Sequence, residues 1–194
     1  MSTHGLLLAA GAGRRMGGPK ALVRPAAGDP TLVETAVSRL RAAGLESVLV
    51  VVGAAADEVA PVALATGAGV VAADDWDEGM GASLRAGLRH LEADPGTLAA
   101  LVMLVDLPDV GSAVHRRVLD ACGPDPEDVL VRATYHGSPG HPVLLGRHHW
   151  AGATDSARGD RGARQFLATH GTRTVECGDL ADGGDVDTPD ALGR

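Results

Sequence analysis

The residues best suited to chemistry lie together in the stretch LLLAAGAGRRMGGPKAL, at positions 6–22. An apolar run passes into a glycine-rich segment that holds Arg14 and Arg15 and then reaches Lys20, the single lysine among 17 basic residues. Glycines such as Gly11 and Gly13 let backbone N–H groups approach an oxyanion closely, while guanidinium and ammonium groups neutralise its charge. This stretch therefore predicts a binding site for a phosphate or a similar small anion.

Two familiar phosphate-binding patterns do not fit this stretch. The dinucleotide pattern G-x-G-x-x-G needs glycine where the chain has Met16, and the second predicted strand is followed by Gly53 instead of the acid that holds a ribose. The P-loop pattern comes nearer, but Pro19 separates the last glycine from Lys20, and no serine or threonine follows. An NAD-dependent dehydrogenase is therefore a weak alternative.

Positive charge is concentrated at the N-terminus although the whole chain is acidic. Residues 1–28 contain basic side chains and no acid, whereas the net charge is −8 and aromatic residues make up only 2%. Nucleic-acid binding draws its affinity from the neutralisation of many phosphates, so we expect no nucleic-acid partner. A small anion suits this distribution of charge.

Cysteine usage and hydropathy indicate the compartment. Cys122 and Cys177 lie far apart and form no C-x-x-C pair, which is typical of a reduced cytosol. The apolar stretch near the N-terminus is much shorter than the ~20 residues of a membrane-spanning helix and follows no basic region. We expect a cytoplasmic protein with no membrane association.

The repeated order of strands and helices predicts how these residues are positioned. Continuous apolar runs, typical of strands buried on both faces, occur at 6–10, 48–52, 70–73, 101–105 and 129–131. Between them, Thr31 and Glu34 form a capping box for a helix that Gly44 ends, and 79–91 carries leucines on one face with Arg85 and Arg89 off it. The pattern predicts one three-layer α/β domain over 1–194 with a mostly parallel sheet.

Ligands of such sheets bind beyond the carboxyl ends of the strands, where the glycine-rich stretch and the segment VDLPD both fall. Asp106 follows an apolar run and precedes Pro108, which also suits a turn or capping residue. Asp187, in DVDTPDAL, suits the N-cap of a final helix that begins at Thr188. From about Tyr135 onward, Gly- and Pro-rich stretches predict excursions over the open face of the site.

The stretch 6–22 resembles the L-A-A-G-x-S-x-R-M-G-x-x-K signature of nucleotidyltransferases related to molybdenum cofactor cytidylyltransferase, the MobA-like NTP transferases. Further segments match that family in order: GMGASLRAGL (79–88), VDLPDV (105–110), GHPVLL (140–145), GDRGAR (159–164) and DVDTPDAL (185–192). Ala10 is typical of the cytidylyl branch, since the guanylyltransferases usually carry L-A-G-G there. Ala12 and Gly81 replace family serines, and Leu107 replaces a residue that is often methionine or glutamine.

The resemblance implies a Rossmann-like nucleotidyltransferase fold and an Mg²⁺-dependent reaction. An NMP group would pass from an NTP, with CTP favoured, to a phosphorylated small-molecule acceptor, with molybdopterin favoured, and pyrophosphate would leave. A molybdoenzyme or its chaperone is a further implied partner. Arg161 and Arg164 suit either an acceptor phosphate or an ordinary exposed helix start, and we expect Arg14 to face solvent.

The resemblance also implies site residues of four kinds. The catalytic residues are Arg15, Lys20 and Asp106. The nucleotide-binding residues are Leu8, Ala9, Ala10, Gly11, Gly13, Arg15, Lys20, Ser83 and Asp106. The acceptor-binding residues are Gly140, His141 and Pro142, and the Mg²⁺ ligands are Asp106 and Asp187.

Two alternatives stay open beside this prediction. A related transferase would use GTP or another NTP with a different phosphate acceptor, because related enzymes share the first loop. A non-catalytic carrier would bind pterin or nucleotide and deliver it to a target enzyme. The presence of Arg15, Lys20, Asp106 and Asp187 together argues against a loss of catalysis.

Overall fold

A computed structural model describes residues 2–186, except for the side chain of Arg15. Seven strands of this part of the chain form one sheet in the order β3-β2-β1-β4-β6-β5-β7. They are β1 (Ser2–Leu8), β2 (Val48–Val52), β3 (Gly69–Ala72), β4 (Thr97–Leu104), β5 (Leu130–Tyr135), β6 (Ser138–Gly146) and β7 (Arg173–Glu176). Neighbouring strands are parallel except at β6, which is antiparallel to β4 and β5, so the prediction of a mostly parallel sheet is confirmed.

Helices cover both faces of the sheet and complete the three layers. They are α1 (Leu32–Ala42), α2 (Ala56–Ala65), α3 (Met80–Glu92), α4 (Ser112–Asp120), α5 (Trp150–Ser156) and α6 (Arg164–Thr169). Helices α1, α2 and α4 bury their apolar residues on one face, and α3, α5 and α6 bury theirs on the other. The α1 capping box forms as predicted, because the Thr31 hydroxyl accepts from the Glu34 N–H and the Glu34 carboxylate accepts from the Thr31 N–H.

The apolar run of β1 shows why continuous hydrophobicity marks a central strand. Side chains alternate between the two faces of a strand, so Leu7 packs under α1 while Leu6 and Leu8 pack under α3. Leu6 and Leu7 are fully buried. The strand is thereby held between two cores, and its carboxyl end is fixed where the glycine-rich stretch begins.

The chain beyond Tyr135 differs from the prediction of loops over the site. Residues 138–146 form β6, which pairs with β4 and β5 in the middle of the sheet, and 173–176 form the edge strand β7. Its glycines and Pro139 made this segment resemble a loop. Pairing with two neighbouring strands outweighs those local preferences, as tertiary context commonly does.

No helix in the described part of the chain is long and apolar enough to cross a membrane.

Candidate active site

The glycine-rich stretch forms a loop between β1 and α1 that folds back on itself. Gly13 has φ +58°, and a Cβ there would lie 1.8 Å from the Gly18 carbonyl oxygen, so the fold requires glycine at this position. A Cβ at Gly11 would instead meet no atom within 4 Å. Both glycines line a cavity. Gly13 therefore shapes the loop, while Gly11 leaves room for whatever the cavity binds.

Lys20 and Asp106 meet at the end of this loop. The Lys20 Nζ donates to Asp106 Oδ2 at 2.8 Å, and the two side chains are 17% and 20% exposed. Strands β1 and β4 are parallel neighbours, so the segments that follow them leave the same edge of the sheet. Sheet topology thus brings together two residues that are 86 positions apart.

The glycine-loop cavity has a volume of about 360 Å³ and lies over this edge. Its walls come from the first loop, the start of α3, the end of β4 and the segment before α6. The lining includes Leu8, Ala10, Gly11, Gly13, Arg14, Lys20, Trp76, Asp77, Met80, Ser83, Asp106 and Asp160. Cationic and carboxylate groups thus share one space with exposed backbone, which suits a polyphosphate bound with a cation.

A second space, the arginine cavity, adjoins the first and has a volume of about 330 Å³. It is lined by Arg132 of β5, by Arg161 and Arg164, and by a sheet face that carries apolar side chains. The two cavities share lining residues, namely Leu8, Met80, Leu104, Asp106 and Asp160. Ligands in the two cavities would therefore meet beside Asp106.

The other predicted site residues lie as follows. Ser83 lines the glycine-loop cavity, whereas the side chain of Ala9 packs in the core and does not line it. Gly140 and His141 line the arginine cavity, and Pro142 does not. The Arg15 side chain and Asp187, with the predicted final helix, lie outside the described residues. Arg14 is exposed, as predicted, and it also lines the glycine-loop cavity.

His141 lines the arginine cavity and has a low pKa. Burial, together with the positive charges of Arg132 and Arg164, lowers the pKa of His141 to about 4. The Tyr135 hydroxyl donates to the His141 carbonyl at 2.5 Å and fixes the backbone there. At neutral pH this ring can exchange hydrogen bonds with a ligand without adding charge.

Arg85 lies off the leucine face of α3, as predicted, but it is buried and has a structural role that the sequence did not reveal. It is buried and donates to the carboxylates of Asp75 and Glu78, each at 2.6 Å, and to the Ala157 carbonyl at 3.0 Å. The Arg85 hydrogen bond lowers the pKa of Asp75, and both acids raise the pKa of Arg85. The run of acids in DDWDEG, just before the helix, was the available signal for a buried basic partner.

The segment after β7 passes close to the site. Asp109 accepts from the backbone N–H groups of Asp182 and Gly183 at 2.8 and 2.9 Å, and the Val186 N–H donates to the Asp106 carbonyl at 2.9 Å. These bonds hold the last described residues against the segment that carries Asp106.

The chain is similar to known proteins over nearly its whole length. Residues 5–175 match the MobA-like NTP transferase domain. Nicotine blue oxidoreductase from Paenarthrobacter nicotinovorans is 36% identical over 200 residues, which cover 98% of this chain and 94% of that protein.

Solved structures share the fold. Rv0371c from Mycobacterium tuberculosis H37Rv is 30% identical with a TM-score of 0.78, covering 98% of this chain and 95% of its own. Its manganese complex is 27% identical with a TM-score of 0.72, covering 91% and 89%. Molybdopterin-guanine dinucleotide biosynthesis protein A from Archaeoglobus fulgidus is 19% identical, with a TM-score of 0.70 and coverage of 98% and 95%, and is alike in fold. The family match and the 36% identical relative both extend over most of the chain, which therefore belongs to the MobA-like NTP transferases, a family of nucleotidyltransferases.

Proposed function

We propose that this protein moves a nucleoside monophosphate from a nucleoside triphosphate to a phosphorylated small-molecule acceptor. An acceptor phosphate oxygen attacks the α-phosphorus and forms a P–O–P linkage, the bond from the α-phosphorus to the β-bridging oxygen breaks, and pyrophosphate leaves. Such a step depends on positioning and charge neutralisation more than on covalent help from the protein. The observation that carries the proposal is the junction of the two cavities at Asp106, beside Lys20 and the glycine loop.

In this proposal the glycine-loop cavity binds the triphosphate. Backbone from Leu8 to Gly13 surrounds the phosphates, the Lys20 ammonium stabilises the charge that develops on the departing pyrophosphate, and Ser83 contacts the ribose or the base. Arg15 is proposed as a second cation for the triphosphate on the family resemblance alone. Ala9 serves through its backbone, because its side chain is buried.

A divalent cation fits the donor groups present. Among residues 2–186 no three acidic, histidine or cysteine side chains form a ready metal cluster. Mg²⁺ commonly binds through one or two carboxylates and substrate phosphates and keeps several waters, so Asp106 with a triphosphate suits it. We propose Asp106 and Asp187 as the ligands. When bound, the metal would neutralise phosphate charge. The manganese complex of Rv0371c supports a divalent ion without deciding between Mg²⁺ and Mn²⁺.

The acceptor then occupies the arginine cavity, against Gly140, His141 and Pro142. For the substrates we propose CTP and molybdopterin, with a molybdoenzyme or its chaperone receiving the product in the cytoplasm, and the full chain 1–194 acting as one domain. The preference for CTP rests on the family resemblance at Ala10, which lines the glycine-loop cavity. GTP or another NTP with a different acceptor is the alternative.

A redox enzyme is the second candidate, because the 36% identical relative is named as an oxidoreductase. The glycine loop argues against NAD chemistry of the usual kind, since Met16 and Gly53 stand where a dinucleotide site needs glycine and an acid. A carrier that binds substrates without turnover is the third candidate.

The test is pyrophosphate release from CTP, GTP, ATP and UTP with Mg²⁺ or Mn²⁺ and a panel of phosphorylated acceptors, with NADH and NADPH oxidation followed in parallel. We expect acceptor-dependent pyrophosphate release, greatest with CTP, and no oxidation of NADH or NADPH. Reduced-nicotinamide oxidation without pyrophosphate release would favour the redox enzyme, and tight nucleotide binding without turnover would favour the carrier.

Two variants assign the roles. Lys20→Ala should raise KM for the NTP and lower kcat, reducing kcat/KM by about 100-fold or more, because the departing charge loses its cation. Asp106→Ala should abolish metal-dependent turnover while the thermal unfolding midpoint shows a folded protein. Near-normal kcat/KM in either variant contradicts the role given to that residue.

A further inference from the structure

We infer that Arg132 is the anion-binding side chain of the arginine cavity, and that this cavity selects ligands in which a small oxyanion is joined to an apolar body. The inference rests on the proposed transfer function and narrows its acceptor. In the proposed reaction the phosphate held here carries the attacking oxygen.

Arg132 carries a positive charge that no carboxylate of residues 2–186 balances. It lies on β5, between β6 and the edge strand β7, and is half-buried. Its Nη2 donates to the Gly140 carbonyl at 3.2 Å, and its buried Nε has no hydrogen-bond partner among the described residues. No carboxylate oxygen of the described residues lies within 4 Å of its guanidinium nitrogens. Burying a charge is costly unless a partner compensates it, so a bound anion would stabilise this arginine.

Two further arginines face the same cavity without acidic partners among the described residues. Arg161 lines it from the segment between α5 and α6, and Arg164 lines it from the first residue of α6. Neither forms an ion pair within the described part of the chain. The charge of Arg164 lowers the pKa of Arg132, as burial does more strongly, so the two guanidiniums lie near enough to repel. An anion between them would turn that repulsion into attraction.

The carboxylates that line the arginine cavity do not pair with its arginines. Asp106 and Asp160 lie where the arginine cavity meets the glycine-loop cavity, and Asp185 belongs to the segment after β7. Asp106 already accepts from Lys20. The acidic and basic linings are therefore separate groups, which leaves the arginines available to a ligand.

The remaining wall of the cavity is apolar. It consists of side chains from the sheet and from α3 and α6, namely Leu84, Val102, Leu104, Val143, Leu145 and Leu167. The uncharged His141 ring adjoins this wall. A ligand without an apolar group would leave these side chains in contact with water and would gain little binding free energy from them. The wall therefore favours a ligand with an apolar body, while the arginines favour one with an oxyanion.

The experiment compares two matched probes by isothermal titration calorimetry. 1-Naphthyl phosphate carries both features, and 1-naphthol lacks the anion. Arg132→Met should weaken naphthyl phosphate binding by about tenfold or more, as expected for the loss of hydrogen bonds to a charged group, and leave naphthol binding unchanged. Arg116→Met is the control, because Arg116 is exposed, lies away from the cavity and also donates to a backbone carbonyl, that of Ala42.

Several outcomes overturn the inference. One is equal affinity of wild type and Arg132→Met for naphthyl phosphate, and another is an equal loss of that affinity in Arg132→Met and Arg116→Met. A third is a loss of naphthyl phosphate affinity in Lys20→Ala and not in Arg132→Met, which would place the anion in the glycine-loop cavity. Absence of naphthyl phosphate binding to wild type also overturns it. If Arg132→Met does not fold, Arg132→Lys and Arg164→Met take its place, with partial retention expected in the first and a clear loss in the second.

Binding of a nonhydrolysable CTP analogue with Mg²⁺, measured on the same variants, separates this inference from the proposed function. Arg132→Met should bind that analogue like wild type. Loss of naphthyl phosphate binding with no pyrophosphate release from any NTP would sink the proposed function and leave the anion subsite standing. If acceptor-dependent pyrophosphate release is the same in Arg132→Met as in wild type, the proposed function stands and the anion subsite at Arg132 is contradicted.

Discussion

At the scale of residues, Gly11 and Gly13 of the first loop differ in the reason for which each position suits glycine. Gly13 is held by the fold, because its positive φ and the nearby Gly18 carbonyl leave no space for a side chain. Gly11 faces open space in the lining of the glycine-loop cavity, so its lack of a side chain benefits a ligand and not the folded protein. A substitution at Gly13 is therefore expected to lower the stability of the fold, whereas a substitution at Gly11 is expected to affect ligand binding.

We predict that Gly11→Ala leaves the free energy of unfolding within about 0.5 kcal/mol of wild type and weakens NTP binding by about tenfold, because the new methyl group occupies ligand space. Gly18→Ala is the matched control, since a Cβ at Gly18 also meets nothing within 4 Å and Gly18 does not line the cavity. Denaturant unfolding and calorimetric titration with an NTP analogue check both. Unchanged NTP affinity in Gly11→Ala would remove the glycine loop from the binding site.

Sequence alone identified some site residues because their chemistry is unusual in this chain. Lys20 stands out as the only lysine of the chain, and the structure places it in contact with Asp106. Arg132 was missed, although an arginine within the apolar run LVRATY was a visible signal. What sequence could not supply was the set of neighbours, because a charge without an acidic partner is evident only once distant segments are brought together.

At the scale of elements, Arg85 joins the walls of the two cavities. It lies on α3 and binds the turn that carries Trp76 and Asp77 through Asp75 and Glu78, and it binds the segment leading to Asp160 through the Ala157 carbonyl. Residues of that turn line the glycine-loop cavity, and Asp160 lines both cavities. One side chain thus holds two loops that a donor and an acceptor would touch.

We predict that Arg85→Met keeps the fold but weakens NTP analogue binding by about tenfold, since small displacements of positioning groups have large effects on a ligand. Arg85→Lys should recover part of that loss. Arg89→Met, one turn further along α3 and exposed, should bind like wild type. Calorimetric titration measures all three, and circular dichroism checks the fold. Arg85→Met and Arg89→Met with equal, near-normal affinities would show that the joined loops do not position the nucleotide.

Helices and strands that are marked by local sequence patterns were predicted better than those that depend on distant partners. The capping box of α1 and the apolar runs of the strands are local patterns, and the structure contains them, with strand ends that differ by up to four residues from the predicted runs. Strand β6 was missed because its glycines and Pro139 have loop-like preferences, and its place between β4 and β5 depends on partners that are distant in sequence. The assignment of Gly140, His141 and Pro142 to the acceptor therefore rests on family resemblance and not on periodicity, and it stays a prediction.

At the scale of the whole molecule, the sheet makes the site by placing two kinds of lining at one edge. The parallel strands β1 and β4 deliver the glycine loop and Asp106, while β5 and β6 deliver Arg132 and His141. The chain is acidic overall, with a net charge of −8, so the arginines and Lys20 form a local exception at this edge. A donor and an acceptor that both carry phosphate would be drawn to the same region from opposite sides of Asp106.

The central claim is that a triphosphate and its divalent ion bind at the junction of the two cavities. The direct measurement is a crystal structure with Mn²⁺ and a nonhydrolysable CTP analogue, using anomalous diffraction to locate the manganese. We predict manganese bound to an Asp106 carboxylate oxygen and to the triphosphate, with Lys20 within hydrogen-bonding distance of a phosphate oxygen and the α-phosphorus facing the arginine cavity. A nucleotide bound elsewhere, or bound here with its manganese away from Asp106, would contradict the account.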